Sequence, residues 1–108
     1  MGEISSAEFE KIELKIGEIV GVEEIPGSKN LLRLIVDFGN ERKQSISGIK
    51  KFYKKEELVG RKFVFVTNLK KRKFMGEVSE CMILAAENGE NVVLICPEKD
   101  VEKGARVR

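Results

Sequence analysis

A chain of 108 residues, 42% hydrophobic and 35% charged, can bury one core without disulfide or metal staples. Twenty Lys and Arg stand against 18 Asp and Glu, so the net charge is only +2 and any basic face must come from clustering. The absence of His excludes imidazole as a general base, Ser-His triads and most zinc sites, and Cys81 and Cys96 are too few for a Cys-rich metal centre. Neither catalytic residues nor a metal or cofactor are expected, and the chain reads as one domain, residues 1–108. The two cysteines suit a reducing, cytoplasmic setting. No run of about 18 apolar residues exists, so no membrane span is expected. The start lacks a signal-peptide pattern, and Met1-Gly2-Glu3-Ile4-Ser5-Ser6 fits only the loose myristoylation pattern.

Ser5 and Glu8 have capping-box spacing, predicting a short helix from about Ser6 to Lys11 with Phe9 on its inner side. Alternation of Ile12, Leu14 and Ile16, resumed at Val20 and Val22, predicts a long first strand from Glu13 to Glu24, with a bulge or bend at Gly17. Pro26 to Asn30 is a loop by composition. Leu32, Leu34, Val36 and Phe38 mark the second strand. Gly39-Asn40-Glu41 turns into a third, Arg42 to Ile49, whose Gln44, Ser45 and Ser47 predict a face toward solvent or a ligand.

Lys50 to Gly60 predicts one short helix, with Gly60 placed as its C-terminal cap. The fourth strand, Lys62 to Thr67, is apolar on both faces and is expected to be buried on two sides or to join an interface. The fifth runs from Cys81 to Ala86 and a sixth from Val92 to Cys96. Asn88-Gly89 is the strongest hairpin signal between them. A two-residue turn there would set Cys81 opposite Cys96, both as free thiols.

Between the fourth and fifth strands lies the loop Lys70-Lys71-Arg72-Lys73-Phe74-Met75-Gly76. From Arg61 to Gly76 there are six cations and no acid. A concentrated positive loop between two strands suits a phosphate backbone. The element order predicts an all-β fold: a five-stranded OB-fold barrel with a short helix between strands three and four. A short N-terminal helix and a C-terminal hairpin extension complete it.

The stretches FEKIELKIGEIVGVEEIPGSKNLLRLIVDFG and SISGIKKFYKKEELVGRKFVFVTNLKKRKFMGEVSECMILAA resemble the tRNA-binding domain of the methionyl-tRNA synthetase C-terminal type. The same module is similar to free-standing tRNA-binding proteins and to the corresponding domains of endothelial monocyte-activating polypeptide and human tyrosyl-tRNA synthetase. The likeness covers about Phe9 to Arg108. It implies a tRNA-binding surface at Asn68, Lys70, Arg72 and Lys73, with Ser79 and Met82 at the start of the fifth strand. Lys71 stands where the family commonly has proline, and adds charge. The turn Ile25-Pro26-Gly27-Ser28-Lys29-Asn30-Leu31 departs from the usual His-Pro-Asn-Ala-Asp-Lys-Leu form, with Lys29 as its displaced lysine.

With six Phe, one Tyr and no Trp, core duty is expected for most of Phe38, Phe63, Phe65 and Phe74, and the scarcity of aromatics argues against a stacking mechanism. Shape and charge remain: proteins read A-form RNA through phosphates, 2′-hydroxyls and overall form. The expected function is a tRNA-binding module without strong sequence specificity. It would serve as an accessory domain or beta-type subunit of a methionyl-tRNA synthetase catalytic chain, or stand free. The alternatives are an export-type chaperone of the same fold and a general single-stranded nucleic-acid binder. A homodimer through strand four and the C-terminal hairpin is also expected.

Overall fold

Ser5 and Glu8 build the first element, α1 (Ser6–Phe9). The Ser5 hydroxyl accepts the Glu8 N–H at 3.1 Å, and the Glu8 carboxylate accepts the Ser5 N–H at 3.1 Å. The computed structural model describes residues 2–108, and Met1, which opens the myristoylation-like stretch, lies outside the described residues. The helix ends at Phe9, two residues before the expected end, and none of its residues is buried. Phe9 is therefore not an inner residue. Four residues at the edge of the barrel reach no core, and Phe9 lies in a shallow crevice with Ile12 and Val107.

β1 (Leu14–Glu24) is long because it serves two neighbours. Its first half pairs with β4 (Lys62–Val66) and its second half with β2 (Leu32–Asp37). The change of partner bends the sheet. The register slips between Ile19 and Gly21, so the bulge lies three residues beyond Gly17. Gly17 has another purpose: a β-carbon there would lie 2.4 Å from Val36 Cγ1 and 2.7 Å from Phe38. The missing side chain lets β1 cross the edge-on pair Phe38–Phe65, whose centroids are 5.6 Å apart.

β2 alternates as read, with Leu32, Leu34 and Val36 buried, and pairs with β3 (Arg42–Ser47). After β3 comes α2 (Lys55–Leu58), which sets Leu58 fully into the core; the chain leaves it at Gly60 with φ +86°. On β4, Phe63 and Phe65 enter the main core, while Val64 and Val66 join Leu14 and Ile16 in a second cluster. That second face is covered by the chain's own Leu84, Ala105 and Val107.

The basic segment is not a loop. β5 (Arg72–Phe74) and β6 (Glu77–Ser79) form an antiparallel hairpin, turned at Met75 and Gly76 with φ of 52° and 81°. Positive φ at both central residues gives the twist that hairpin strands need. The expected fifth strand is divided: β7 (Met82–Ile83) pairs with β4, then β8 (Ala85–Asn88) pairs with β9 (Asn91–Leu94).

Asn88 pairs with Asn91, so the turn residues are Gly89 and Glu90, not Asn88 and Gly89. Gly89, at φ +58°, takes the first central position, as a type II′ turn requires. The shifted register and the departure of β7 to β4 remove the expected pairing of the cysteines. Cys81 is buried and Cys96 exposed, both as free thiols. Finally β10 (Arg106–Val107) adds to the start of β1.

The main sheet runs β3-β2-β1-β4-β7, and the segment after β6 closes it back onto β3. The Glu80 N–H donates to Gln44 O at 2.8 Å, the Gln44 N–H to Glu80 Oε1 at 3.0 Å, and the Ile46 N–H to Ser79 Oγ at 3.0 Å. The result is the expected all-β, OB-like barrel. Closure also overturns one expectation. Ser45 and Ser47 do not face solvent; they are buried, with their hydroxyls 3.1 Å apart, and only Gln44 of the three stays half-exposed.

Candidate nucleic-acid interface

The β5–β6 hairpin projects from the barrel but is tied down along its return strand. Arg33 on β2 holds Glu77 through its Nε at 3.1 Å and through a second, shorter guanidinium bond, and it also holds Glu23 at 3.0 Å. Gln44 Nε2 donates to Val78 O at 2.8 Å. These bonds come from the exposed face of β2 and β3, so the hairpin's direction is set by the barrel itself.

Arg33 and Glu77 are functional-site residues that the sequence reading misses, whereas Gln44 lies on the strand face expected to meet solvent or a ligand. The available signal is an arginine at the second position of the alternating strand Leu32–Asp37.

The hairpin has two faces, as strand alternation dictates. Arg72 and Phe74 turn toward a groove of about 320 Å³, also lined by Lys70, Met82, Gly48 and Ile49. Lys71 and Lys73 alternate onto the other face. All four cations are exposed. Among the described residues Lys70, Arg72 and Lys73 have no carboxylate partner, and Lys71 lies 3.8 Å from Glu80. The Arg72 guanidinium sits 4.9 Å from the centre of the Phe74 ring, which holds its charge at the groove mouth. Cations left unpaired on a rigid hairpin are available to phosphate oxygens.

The remaining expected residues divide. Met82 is exposed beside the cations. Lys29 is exposed in the loop 26–30, which lies against the hairpin tip: a β-carbon on Gly27 would sit 3.7 Å from Met75 Cε. Ser79 is buried, accepting the Ile46 N–H and donating to Cys81 O at 3.1 Å. Its hydroxyl holds the barrel seam. Asn68 stands at the hairpin root with its amide engaged by the N-terminal segment. Lys70, Arg72 and Met82 thus line the groove, Lys71 and Lys73 alternate onto the hairpin's other face, Lys29 lies in the adjoining loop, and Asn68 and Ser79 hold the hairpin root and the barrel seam.

No group of acidic or cysteine side chains suited to a metal occurs among the described residues. No described helix is long and apolar enough to cross a membrane.

Along its full length the chain is 50% identical to a methionine–tRNA ligase of Methanocaldococcus jannaschii, covering 17% of that protein. The chain thus spans about a sixth of the length of such relatives. A solved MetRS-related protein from Pyrococcus horikoshii superposes with a TM-score of 0.94 at 42% identity, each chain covered completely. The chaperone CsaA from Bacillus anthracis superposes with a TM-score of 0.88 at 30% identity, over 99% of this chain and 100% of that one. Residues 14–106 match the family described as "Putative tRNA binding domain", and the chain belongs to that family.

Proposed function

We propose that the chain binds tRNA by phosphate contacts and shape, without strong sequence specificity. In this reading it is one module that delivers tRNA to a methionyl-tRNA synthetase catalytic chain, as an accessory domain or beta-type subunit, or acts as a free-standing tRNA-binding protein in the cytoplasm. It contributes binding and no catalysis. The observation that carries the reading is the hairpin: Lys70, Arg72 and Lys73 are exposed and unpaired on a segment fixed by Arg33 and Gln44. Replacing those three cations with Ala is expected to remove most tRNA binding and leave the urea midpoint unchanged. Each lost phosphate contact flattens the slope of log affinity against log salt by about 0.7–0.9. Wild-type affinity in the triple variant would reduce the hairpin to a solvated turn.

A homodimer belongs to the same proposal. Val93 and Ile95, 55% and 39% exposed, stand on or beside the β8–β9 hairpin, and a two-fold partner there would place two cationic hairpins around one tRNA. Sedimentation showing only a 12.2 kDa species at micromolar concentration would rule it out.

The superposition on the chaperone CsaA, together with exposed Leu69 and Met82 at the groove, favours a second reading, an export-type chaperone. An unfolded polypeptide that displaces tRNA at equal concentration would support it.

A further inference from the structure

The loop 26–30 joins the cationic hairpin to the turn that follows β3. On one side it touches Met75 at the hairpin tip. On the other, the Lys50 N–H donates to Asn30 O at 3.1 Å and Lys50 Nζ to Ser28 O at 3.3 Å. Gly48 and Ile49, which lead into the same turn, also line the groove. Three segments thus make one continuous rim.

At the far end of that rim the chain folds back, with the Phe52 and Tyr53 N–H groups donating to Ile49 O at 2.9 and 3.1 Å. Tyr53 is drawn inward, its hydroxyl accepting the Leu94 N–H at 3.0 Å. Phe52 is left outside, 41% exposed. Phe38, Phe63 and Phe65 already fill the core, so Phe52 has no comparable role in folding.

Lys51 and Lys54 flank Phe52; both are exposed and, like Lys29, have no carboxylate partner among the described residues. The nearby acids are largely committed: Glu24 pairs with Lys50, and Glu57 accepts the Lys54 N–H at 2.8 Å. Glu56 stays on the exposed side of α2.

We propose that this turn is a second RNA contact, in which Phe52 stacks on the base of an unpaired nucleotide while Lys51 and Lys54 hold its flanking phosphates. The inference rests on the tRNA reading above and extends it. An exposed aromatic residue with an exposed lysine on each side of it in the chain matches a nucleotide, whose base has an apolar face and whose backbone is anionic on both sides. Lys29, between hairpin and turn, carries the phosphate track from one to the other. The hairpin then holds duplex phosphates, and the turn takes a nucleotide that has left the duplex. A tRNA offers both within one molecule, and a blunt duplex offers only the first. The small number of aromatics is no obstacle, since stacking needs one ring in the right place.

The test uses the 108-residue protein with two probes, a tRNA transcript and a blunt RNA duplex of similar length. Phe52→Ala is expected to weaken tRNA binding about tenfold with an unchanged salt slope, and Phe52→Tyr to restore it. Blunt-duplex binding should ignore both. The pair Lys51→Ala and Lys54→Ala should flatten the tRNA salt slope by about 1.4–1.8.

The proposal is overturned if these variants bind tRNA like wild type while the Lys70, Arg72 and Lys73 variant loses it. That outcome leaves the tRNA reading standing. It is also overturned if Phe52→Ala weakens both probes equally, which would assign Phe52 to folding. Wild-type binding by the hairpin variant would instead sink the tRNA reading itself.

Discussion

Asn68 clamps Glu13: its Oδ1 accepts the Glu13 N–H at 2.8 Å, while its Nδ2 donates to Lys11 O at 2.7 Å. Thr67 strengthens the joint, its N–H donating to Glu13 O at 2.9 Å and its hydroxyl to the Glu13 carboxylate. That hydroxyl, with Lys15, holds the Glu13 carboxyl below the ordinary range. The position that resembles a family tRNA contact is therefore also the root that fixes where the hairpin starts. Asn68→Ala removes two hydrogen bonds and is expected to cost about 1–2 kcal/mol in urea unfolding. It should weaken tRNA binding several-fold with an unchanged salt slope, because no cation is lost. A wild-type urea midpoint would dismiss the clamp.

Gly17 and Gly21 lie on the same strand and should answer differently to one methyl group. At Gly17 a β-carbon meets Val36, Phe38 and Phe65 at 2.4, 2.7 and 3.0 Å, all core side chains. At Gly21 its nearest neighbour is Ile35 Cγ1 at 3.4 Å. Overpacking a closed core costs about 1–3 kcal/mol, and Gly17→Ala should reach the upper end of that range. Gly21→Ala should stay under about 1 kcal/mol. Denaturant midpoints of the two variants, measured side by side, check the contrast.

These two glycines also mark what the sequence could and could not reveal. Alternation at Leu32, Leu34 and Val36, the capping box at Ser5 and Glu8, and the helix stop at Gly60 are local signals, and each appears in the structure. The bulge near Val20 and the crowding at Gly17 depend on which strands cross, and no local pattern carries that. The β5–β6 hairpin is not legible in the sequence because Met75 is an unusual residue for positive φ, so its turn carries no standard dipeptide signal. Among the site residues, charge was legible as a run. The engagement of Asn68 and the burial of Ser79 follow from closure across some thirty to fifty-five positions of sequence. Phe52 is not legible because composition counts aromatics without saying which are left outside, here Phe9 and Phe52.

The cysteines provide a test of the barrel seam. Cys81 is buried behind β3, its thiol 3.9 Å from Gln44 O, and burial pushes its pKa up to about 12. The thiolate is the reactive form, so Cys81 should be inert at pH 8 in the folded protein. Cys96 is exposed. A thiol-disulfide reagent should label one thiol per chain quickly and the second only on unfolding. Two fast thiols would mean that the seam between Gln44 and Glu80 opens readily.

Arg33 lies under the hairpin, close to the nucleic-acid side, yet its guanidinium is engaged by Glu77 and Glu23. Both partners raise its already high pKa, Glu77 first, so its charge is fixed and directed inward. Arg33→Ala should act in two ways that point in the same direction. The hairpin loses its anchor, and Glu77, opposite Phe74 on the cationic hairpin, loses its cation partner and repels phosphate. The expected result is a several-fold loss of tRNA affinity with an unchanged salt slope, because Arg33 itself touches no phosphate. Adding Glu77→Ala removes the orphan charge and should recover part of the loss, leaving only the missing anchor. Non-additivity of that kind is what a direct pair produces in a double-mutant cycle. Suppose instead that Arg33→Ala flattens the salt slope by about 0.7–0.9 and Glu77→Ala restores nothing. Arg33 would then be a phosphate ligand in the bound state, and its ion pairs with Glu77 and Glu23 would have to break when tRNA binds.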